Sequence, residues 1–189
     1  MAKKPLPTPE QLRQLLRYEP ETGKLYWRER PADLFQARGK FPPEHGAKVW
    51  NARWAGAEAF TAVAKEGYHV GAINFRTMRA HRVIWAIVYG AWPVGEIDHI
   101  NGIRSDNRLC NLRVVSPSAN RKNMKRRKDN PSGATGVYWW PTSRKWRVQI
   151  KSCGERRHIG MFDTFEEAVA ARKAAEAKHG FHRNHGRPA

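Results

Sequence analysis

The sequence has few of the residues that would mark a disulfide scaffold or a membrane protein. Its 189 residues include only two cysteines, Cys110 and Cys153, with no Cys-x-x-Cys pair, which argues against a disulfide framework and a zinc knuckle. No stretch approaches the roughly 20 apolar residues of a membrane span, and no apolar run of the secretory type follows the basic N-terminus. We therefore expect an intracellular, cytoplasmic protein with reduced cysteines and no membrane partner.

Acidic residues are also scarce. The chain has 17 Asp and Glu against 35 Lys and Arg, a formal net charge of +18. This imbalance predicts a polyanionic partner, and double-stranded DNA before a membrane surface. The densest run of positive charge occupies residues 121–128, and we expect it to follow a phosphate backbone through Arg121, Lys122, Lys125, Arg126 and Arg127.

Residues 97–123 hold the stretch around which the chain is organised. Adjacent Asp98 and His99 are followed by a polar turn at 101–108, a short apolar run, and Ser116-Pro117. Serine followed by proline is a helix-start signal, because the hydroxyl caps and proline needs no N–H at the first position. The pattern predicts strand, loop, strand and helix.

The side chains of this stretch suggest hydrolysis of a phosphodiester. A carboxylate and carboxamides are hard-oxygen ligands that suit Mg²⁺ or Mn²⁺, and a neutral histidine can take a proton from water. Arg104 and Arg108 add positive charge that attracts phosphate. The plain alternative is a solvated basic hairpin rich in turn-forming residues.

The pattern D-H-I-N-G-x-x-x-D-N-R-x-x-N-L-R-x-V-x-x-x-x-N resembles the core of the HNH endonucleases, in particular the phage and intron-encoded, homing-type branch with asparagine in place of the last histidine. The resemblance implies a ββα-metal (His-Me) finger with one Mg²⁺ or Mn²⁺ ion. By motif position Asp98 and Asn120 resemble the metal ligands, and His99 the general base. Asn111 resembles the asparagine that holds the base and its loop. The branch also implies a phage or mobile-element gene.

The residues before this motif predict an N-terminal accessory region, 1–80. Thr8-Pro9 with Gln11 is a capping-box helix start, and the helix should stop before Glu19-Pro20. We expect a strand at 24–30, a loop at 31–46, and short strands at 50–63 and 67–79. The apolar run 81–89 predicts a helix that ends at Gly90 and forms the floor under the hairpin. We interpret His81, at its start, as a structural hydrogen-bonding residue.

Residues 133–180 predict three antiparallel strands and a helix. Residues 145–151 alternate apolar and polar, and Thr164 with Glu167 forms a capping box before an Ala-rich helix that stops at Gly180. The segments G-V-Y-W-W, K-W-R-V-Q-I and I-G-M-F-D-T-F-E-E-A resemble an AP2 DNA-binding domain. The resemblance implies DNA contacts from the sheet, by residues at or near the matching positions: Tyr138, Trp140, Arg147, Gln149, Lys151, Arg156 and His158.

Together these observations predict an α+β protein with an HNH nuclease module at 81–128, a linker at 129–132, an AP2-like module at 133–180 and a disordered tail at 181–189. The predicted function is a metal-dependent DNA endonuclease tethered by its second module. One finger per chain implies nicking, or double-strand cutting by a homodimer. The alternatives are a DNA-binding regulator with a silent finger, and an RNA-binding or packaging protein held by charge alone.

Overall fold

The computed structural model describes residues 5–152 and 154–188, in which it has five α-helices and eleven strands. The chain divides into two compact units, Met1–Val114 and Val115–Ala189, called here the first and second unit. Three-stranded antiparallel sheets accompany the helices in both units, which confirms the mixed α+β class. None of the described helices is long and apolar enough to cross a bilayer. Cys110 is free and exposed, and Cys153 lies outside the described residues.

The first unit begins with the capped helix that the sequence predicts. Thr8 Oγ1 accepts the Gln11 amide and the Gln11 side chain accepts the Thr8 amide. The helix is shorter than predicted, because the chain leaves it at Leu16 to pair with the next strand. The elements of this segment are α1 (Pro9–Leu15), β1 (Leu16–Glu19) and β2 (Lys24–Trp27).

The middle of the first unit differs most from the sequence prediction. Helix α2 (Pro43–Trp54) occupies the end of the predicted loop and the start of the predicted strand at 50–63. Pro43 stands in the first turn, where a missing N–H costs nothing. The strands that follow are short, as predicted around the turn at 65–67: β3 (Glu58–Ala59), β4 (Ala62–Val63), β5 (His69–Ile73) and β6 (Arg76–Arg79).

Helix α3 (Ala80–Tyr89) is the floor of the first unit. It ends, as predicted, at Gly90, which has the positive φ of 70° that favours glycine at a helix end. Val83 and Ile84 are completely buried and share one core with Ile97 and Leu112 of the next two strands. These strands are β7 (Glu96–His99) and β8 (Leu112–Val115), which pair as a two-stranded sheet.

The second unit follows the predicted order. Ser116 caps α4 (Pro117–Arg121), and the sheet order is β11-β10-β9. Thr164 and Glu167 form the predicted capping box. Val137, Val148 and Ala168 form the buried core between sheet and helix. The elements are β9 (Val137–Trp140), β10 (Lys145–Ser152), β11 (Glu155–Phe162) and α5 (Phe165–Lys178).

The predicted disorder of the tail at 181–189 is wrong for residues 181–188. The His182 amide donates to the Lys122 carbonyl, and the Gly186 amide donates to the Met124 carbonyl. The Arg187 side chain donates to the Asn123 carbonyl at 2.7 Å. Hydrogen bonds therefore tie the tail to the segment that follows α4. The local sequence does not reveal these bonds.

Candidate active site

Strand β7 ends at His99, where the chain turns. The Gly102 amide donates to the His99 carbonyl at 2.8 Å, and Gly102 has a φ of 74°, as the Asn101-Gly102 turn signal predicts. Asp98 and His99 are 6 % and 4 % exposed. As neighbours on a strand they have different partners: Arg113 for Asp98, and Asn107 for His99.

His99 is held as a neutral imidazole. Its Nε2 lies 3.2 Å from Asn107 Oδ1, and an Nε2–H that donates there leaves the lone pair on Nδ1. Burial lowers the pKa of His99 below its usual value, and the Asn107 hydrogen bond opposes that shift. An imidazole in this state can accept a proton at neutral pH.

Asn111 fixes the loop between the two strands. Its Oδ1 accepts the Asn101 amide at 2.9 Å and its Nδ2 donates to the Asp106 carbonyl at 2.8 Å. The loop carries Asn107, so Asn111 supports the residue that binds the His99 ring. Asn107 was not among the predicted site residues, although it lies in the D-N-R segment of the motif.

The N-terminal accessory region braces this same loop. The Tyr18 hydroxyl donates to the Asn107 carbonyl at 3.3 Å and accepts the Leu109 amide at 3.2 Å. Gly23, in the β1–β2 turn, packs so closely against this loop that a Cβ there would lie 2.6 Å from the backbone nitrogen of Arg108. The first hairpin therefore sets the position of the Asn107 segment, a role that the sequence did not reveal.

Two aromatic side chains surround His99. The His81 ring meets it edge-on with 5.1 Å between centroids, and the Tyr68 ring lies 5.8 Å away. His81 is 3 % exposed, and burial lowers its pKa to about 3. Its Nδ1 has no hydrogen-bond partner among the described residues, so the structural bond we expected of this residue is not made by that atom.

The predicted metal ligands are an oxygen-donor pair of the kind that suits Mg²⁺ or Mn²⁺. Asp98 Oδ2 accepts two N–H groups from Arg113, at 2.8 and 3.0 Å. Asn120 lies in α4 of the second unit and is half-buried. Within the described residues no three His, Cys, Asp or Glu side chains gather as a metal-binding group, so any ion here would rely on amide as well as carboxylate oxygens.

The two arginines predicted to attract phosphate in the first unit differ in their surroundings. Arg108 donates to both Asp106 oxygens at 2.8 Å, and this pair lowers the pKa of Asp106 to about 2. Arg104 is exposed and donates to the Glu66 carbonyl at 2.6 Å. Arg104 thus keeps its positive charge uncompensated by a carboxylate, whereas Arg108 does not.

The register of the second sheet places its predicted DNA-contacting residues on one face. Residues directly opposite each other on neighbouring strands share a face of the sheet. Three such pairs join predicted DNA-contacting residues: Tyr138 with Arg147, Gln149 with His158, and Lys151 with Arg156. Helix α5 packs on the opposite face, over Val148. The residues brought together are Tyr138, Trp140, Arg147, Gln149, Lys151, Arg156 and His158.

A cavity of about 440 Å³ in the second unit is rich in positive charge. Arg121, Lys122, Lys151 and Arg156 line it together with Tyr138. In the adjoining run, Arg127 pairs with Asp129 and the Arg126 side chain donates to the Gly133 carbonyl, whereas Lys125 is exposed. The cationic residues of the predicted run therefore differ: some line the cavity, some make internal contacts, and Lys125 is exposed.

Comparison with known proteins gives two matches. Residues 78–122 match the profile of a family described as HNH endonuclease. Protein 3.8 of Escherichia phage T7 is 31 % identical over 107 residues, which cover 56 % of this chain and 88 % of the relative. No solved structure matches.

Proposed function

Since this chain belongs to the family of phage T7 protein 3.8 and is an HNH endonuclease acting on DNA, we propose that His99 is its general base. The observation that carries this proposal is the buried His99 ring, with Nε2 at 3.2 Å from Asn107 Oδ1 and a pKa lowered by burial. The neutral imidazole of His99 then takes a proton from the water that attacks the scissile phosphate. Asn107 orients the ring, and Asn111 holds the loop that carries Asn107.

Asp98 and Asn120 would hold one divalent ion, Mg²⁺ or Mn²⁺, as the resemblance implies. When bound, such an ion supplies positive charge that stabilises the extra negative charge of the transition state. Arg113 fixes the Asp98 carboxylate through two hydrogen bonds to Oδ2, which would hold this ligand in place for a cation.

The second unit would tether the enzyme to DNA. The common face of Tyr138, Arg147, Lys151 and their partners supports this role, as does the cationic cavity beside it. A sheet of this size can enter a major groove. In this proposal residues 81–128 form the nuclease module, and residues 133–180 form an AP2-like DNA-binding module.

Plasmid cleavage tests the catalytic assignment. With Mg²⁺ or Mn²⁺ the purified protein should convert supercoiled plasmid to nicked or linear product, and His99→Ala should abolish conversion while DNA binding remains. His45→Ala, which alters an exposed histidine on α2, is the matched control and should cut normally. Equal cutting by wild type and His99→Ala would refute the base assignment. A linear product made only by a dimeric species would establish double-strand cutting by a homodimer.

One observation favours a second candidate function, a DNA-binding regulator whose HNH finger is catalytically inactive. Asp98 is already paired with Arg113, and a carboxylate held by a guanidinium can be purely structural. In that case the wild type binds DNA but leaves plasmid intact with either metal.

A further inference from the structure

We propose that Arg79 and Arg104, both stacked on Tyr68, bind a phosphate of the DNA backbone next to His99. The guanidinium carbons lie over the Tyr68 ring at 4.6 Å for Arg79 and 5.0 Å for Arg104. Arg79 ends β6, Arg104 follows β7, and Tyr68 precedes β5. Three separate segments thus bring two positive charges to one aromatic ring. The assignment rests on the proposed role of His99.

The Tyr68 ring places these charges beside the imidazoles. Its centroid lies 5.1 Å from that of His81 and 5.8 Å from that of His99. The two arginines that stack on this ring therefore lie on the same aromatic group that contacts both imidazoles.

Both guanidinium groups remain available for an anion. No carboxylate of the described chain forms an ion pair with Arg79 or Arg104, and both side chains are exposed. Arg108 and Arg113 in the same unit are instead bound to Asp106 and Asp98. The available pair is therefore specific to Tyr68, not a general property of arginines around this hairpin.

Stacking suits these arginines to phosphate. A guanidinium that lies on an aromatic ring uses its face, while its N–H edges stay in plane for bidentate bonds to phosphate oxygens. Arg104 gives one N–H to the Glu66 carbonyl, which fixes its plane and leaves its other donors. Tyr68 is thus a positioning residue, and Arg79 and Arg104 contact the substrate.

Kinetics with an oligonucleotide duplex test the proposal. We expect Arg79→Gln and Arg104→Gln each to lower kcat/KM by about tenfold to a hundredfold, since each removes charge-assisted hydrogen bonds. Tyr68→Leu should reproduce this loss, and Tyr68→Phe, which keeps the ring, should not. Arg53→Gln is the matched control, because Arg53 lies over Trp54 at 4.9 Å on α2, and it should stay within about twofold of wild type.

A second measurement separates this proposal from the base assignment. In a His99→Ala background, Arg79→Gln and Arg104→Gln should each reduce the salt slope of duplex binding, and the double variant should reduce it by about 0.9 for the one shared phosphate. If both arginines hold one phosphate, the double variant should lose less kcat/KM than the product of the single losses. Wild-type rates and salt slopes in both single variants would overturn the phosphate site while leaving His99 as the base. Cutting by His99→Ala would refute the base and leave the binding result intact.

Discussion

The pKa of His99, the proposed base, is set by burial, one hydrogen bond and nearby charges. Burial lowers its pKa, and the Asn107 hydrogen bond and the charge of Asp98 raise it. The result is an imidazole that stays neutral at pH 7 but is held in a fixed orientation. Sequence spacing could propose His99 as the base, because the spacing of the motif is fixed. Spacing could not assign the orienting partner, because Asn101, Asn107 and Asn111 all lie in one polar loop and only the fold distinguishes them.

Asn107→Ala should change the pH profile as well as the rate. As the proposed base, His99 would act only when neutral, so activity should fall as the pH drops through its lowered pKa. Removing Asn107 deletes an interaction that raises this pKa, so the acid limb of kcat/KM should move to lower pH while the plateau drops because the ring is less fixed. The measurement is kcat/KM between about pH 8 and 4.5, in a range around the ordinary histidine pKa. A lower plateau with an unmoved acid limb would contradict the Asn107–His99 bond.

The buried His81 makes the protein less stable in acid. Its pKa is about 3 in the fold, against about 6.5 in the unfolded chain. As the pH falls below about 6.5, His81 takes up a proton in the unfolded chain but not in the folded protein. The contribution of the neutral His81 to stability is therefore complete above this pH and is lost progressively below it. The unfolding free energy should drop by ~2 kcal/mol between pH 7 and 5 from this residue alone.

Urea unfolding of wild type and His81→Phe across this range measures the effect. The variant keeps an aromatic ring but cannot titrate, so its pH slope should be smaller by about this amount. His45→Phe, at an exposed histidine, is the matched control for the change from histidine to phenylalanine. Parallel slopes for wild type and His81→Phe would show that His81 is not the acid-sensitive group.

At the scale of elements, helix starts with a hydroxyl cap were the most predictable feature, and the uncapped start of α2 was missed. Thr8, Ser116 and Thr164 each cap a helix where the sequence indicated one, because the side-chain hydroxyl bonds a backbone amide locally. Helix α2 starts at Pro43 after Pro42, with no side-chain cap. Its Pro- and Gly-rich start is typical of a loop, and packing in the tertiary structure overrides that preference.

The β1–β2 hairpin should influence catalysis from outside the motif. Gly23→Ala would place a Cβ at 2.6 Å from the Arg108 nitrogen and 2.7 Å from the Asn107 carbonyl carbon. The loop must move, and a displaced Asn107 should lower kcat/KM by about tenfold. Gly39→Ala is the control, because Gly39 also has a positive φ, of 58°, but nothing within 4 Å of its Cβ. Plasmid cleavage by both variants, with melting curves to compare their stability, distinguishes the effect of the close contact at Gly23 from the effect of a positive φ.

At the scale of the whole molecule, the charge of +18 predicted the kind of partner but not where it binds. Strand alternation gave one face of the second sheet correctly, since Arg147, Gln149 and Lys151 repeat every second residue and the register aligns them with β9 and β11. The ordered tail was not predictable, because its partners lie about sixty residues earlier, at Lys122 and Met124, and local composition carries no trace of them.

The salt dependence of DNA binding can locate the binding face, because two adjacent arginines of β11 lie on opposite sides. Arg156 pairs across from Lys151 on the proposed DNA face, and Arg157 pairs across from the buried Ile150 on the other. Each change to glutamine removes one charge, so net charge alone predicts the same effect. If the face binds phosphate, Arg156→Gln should lower the slope of log affinity against log salt by about 0.9, whereas Arg157→Gln should leave it unchanged. Fluorescence anisotropy of a labelled duplex at several salt concentrations gives both slopes. Equal slopes for the two variants would mean that DNA senses the overall charge of the protein and not this surface.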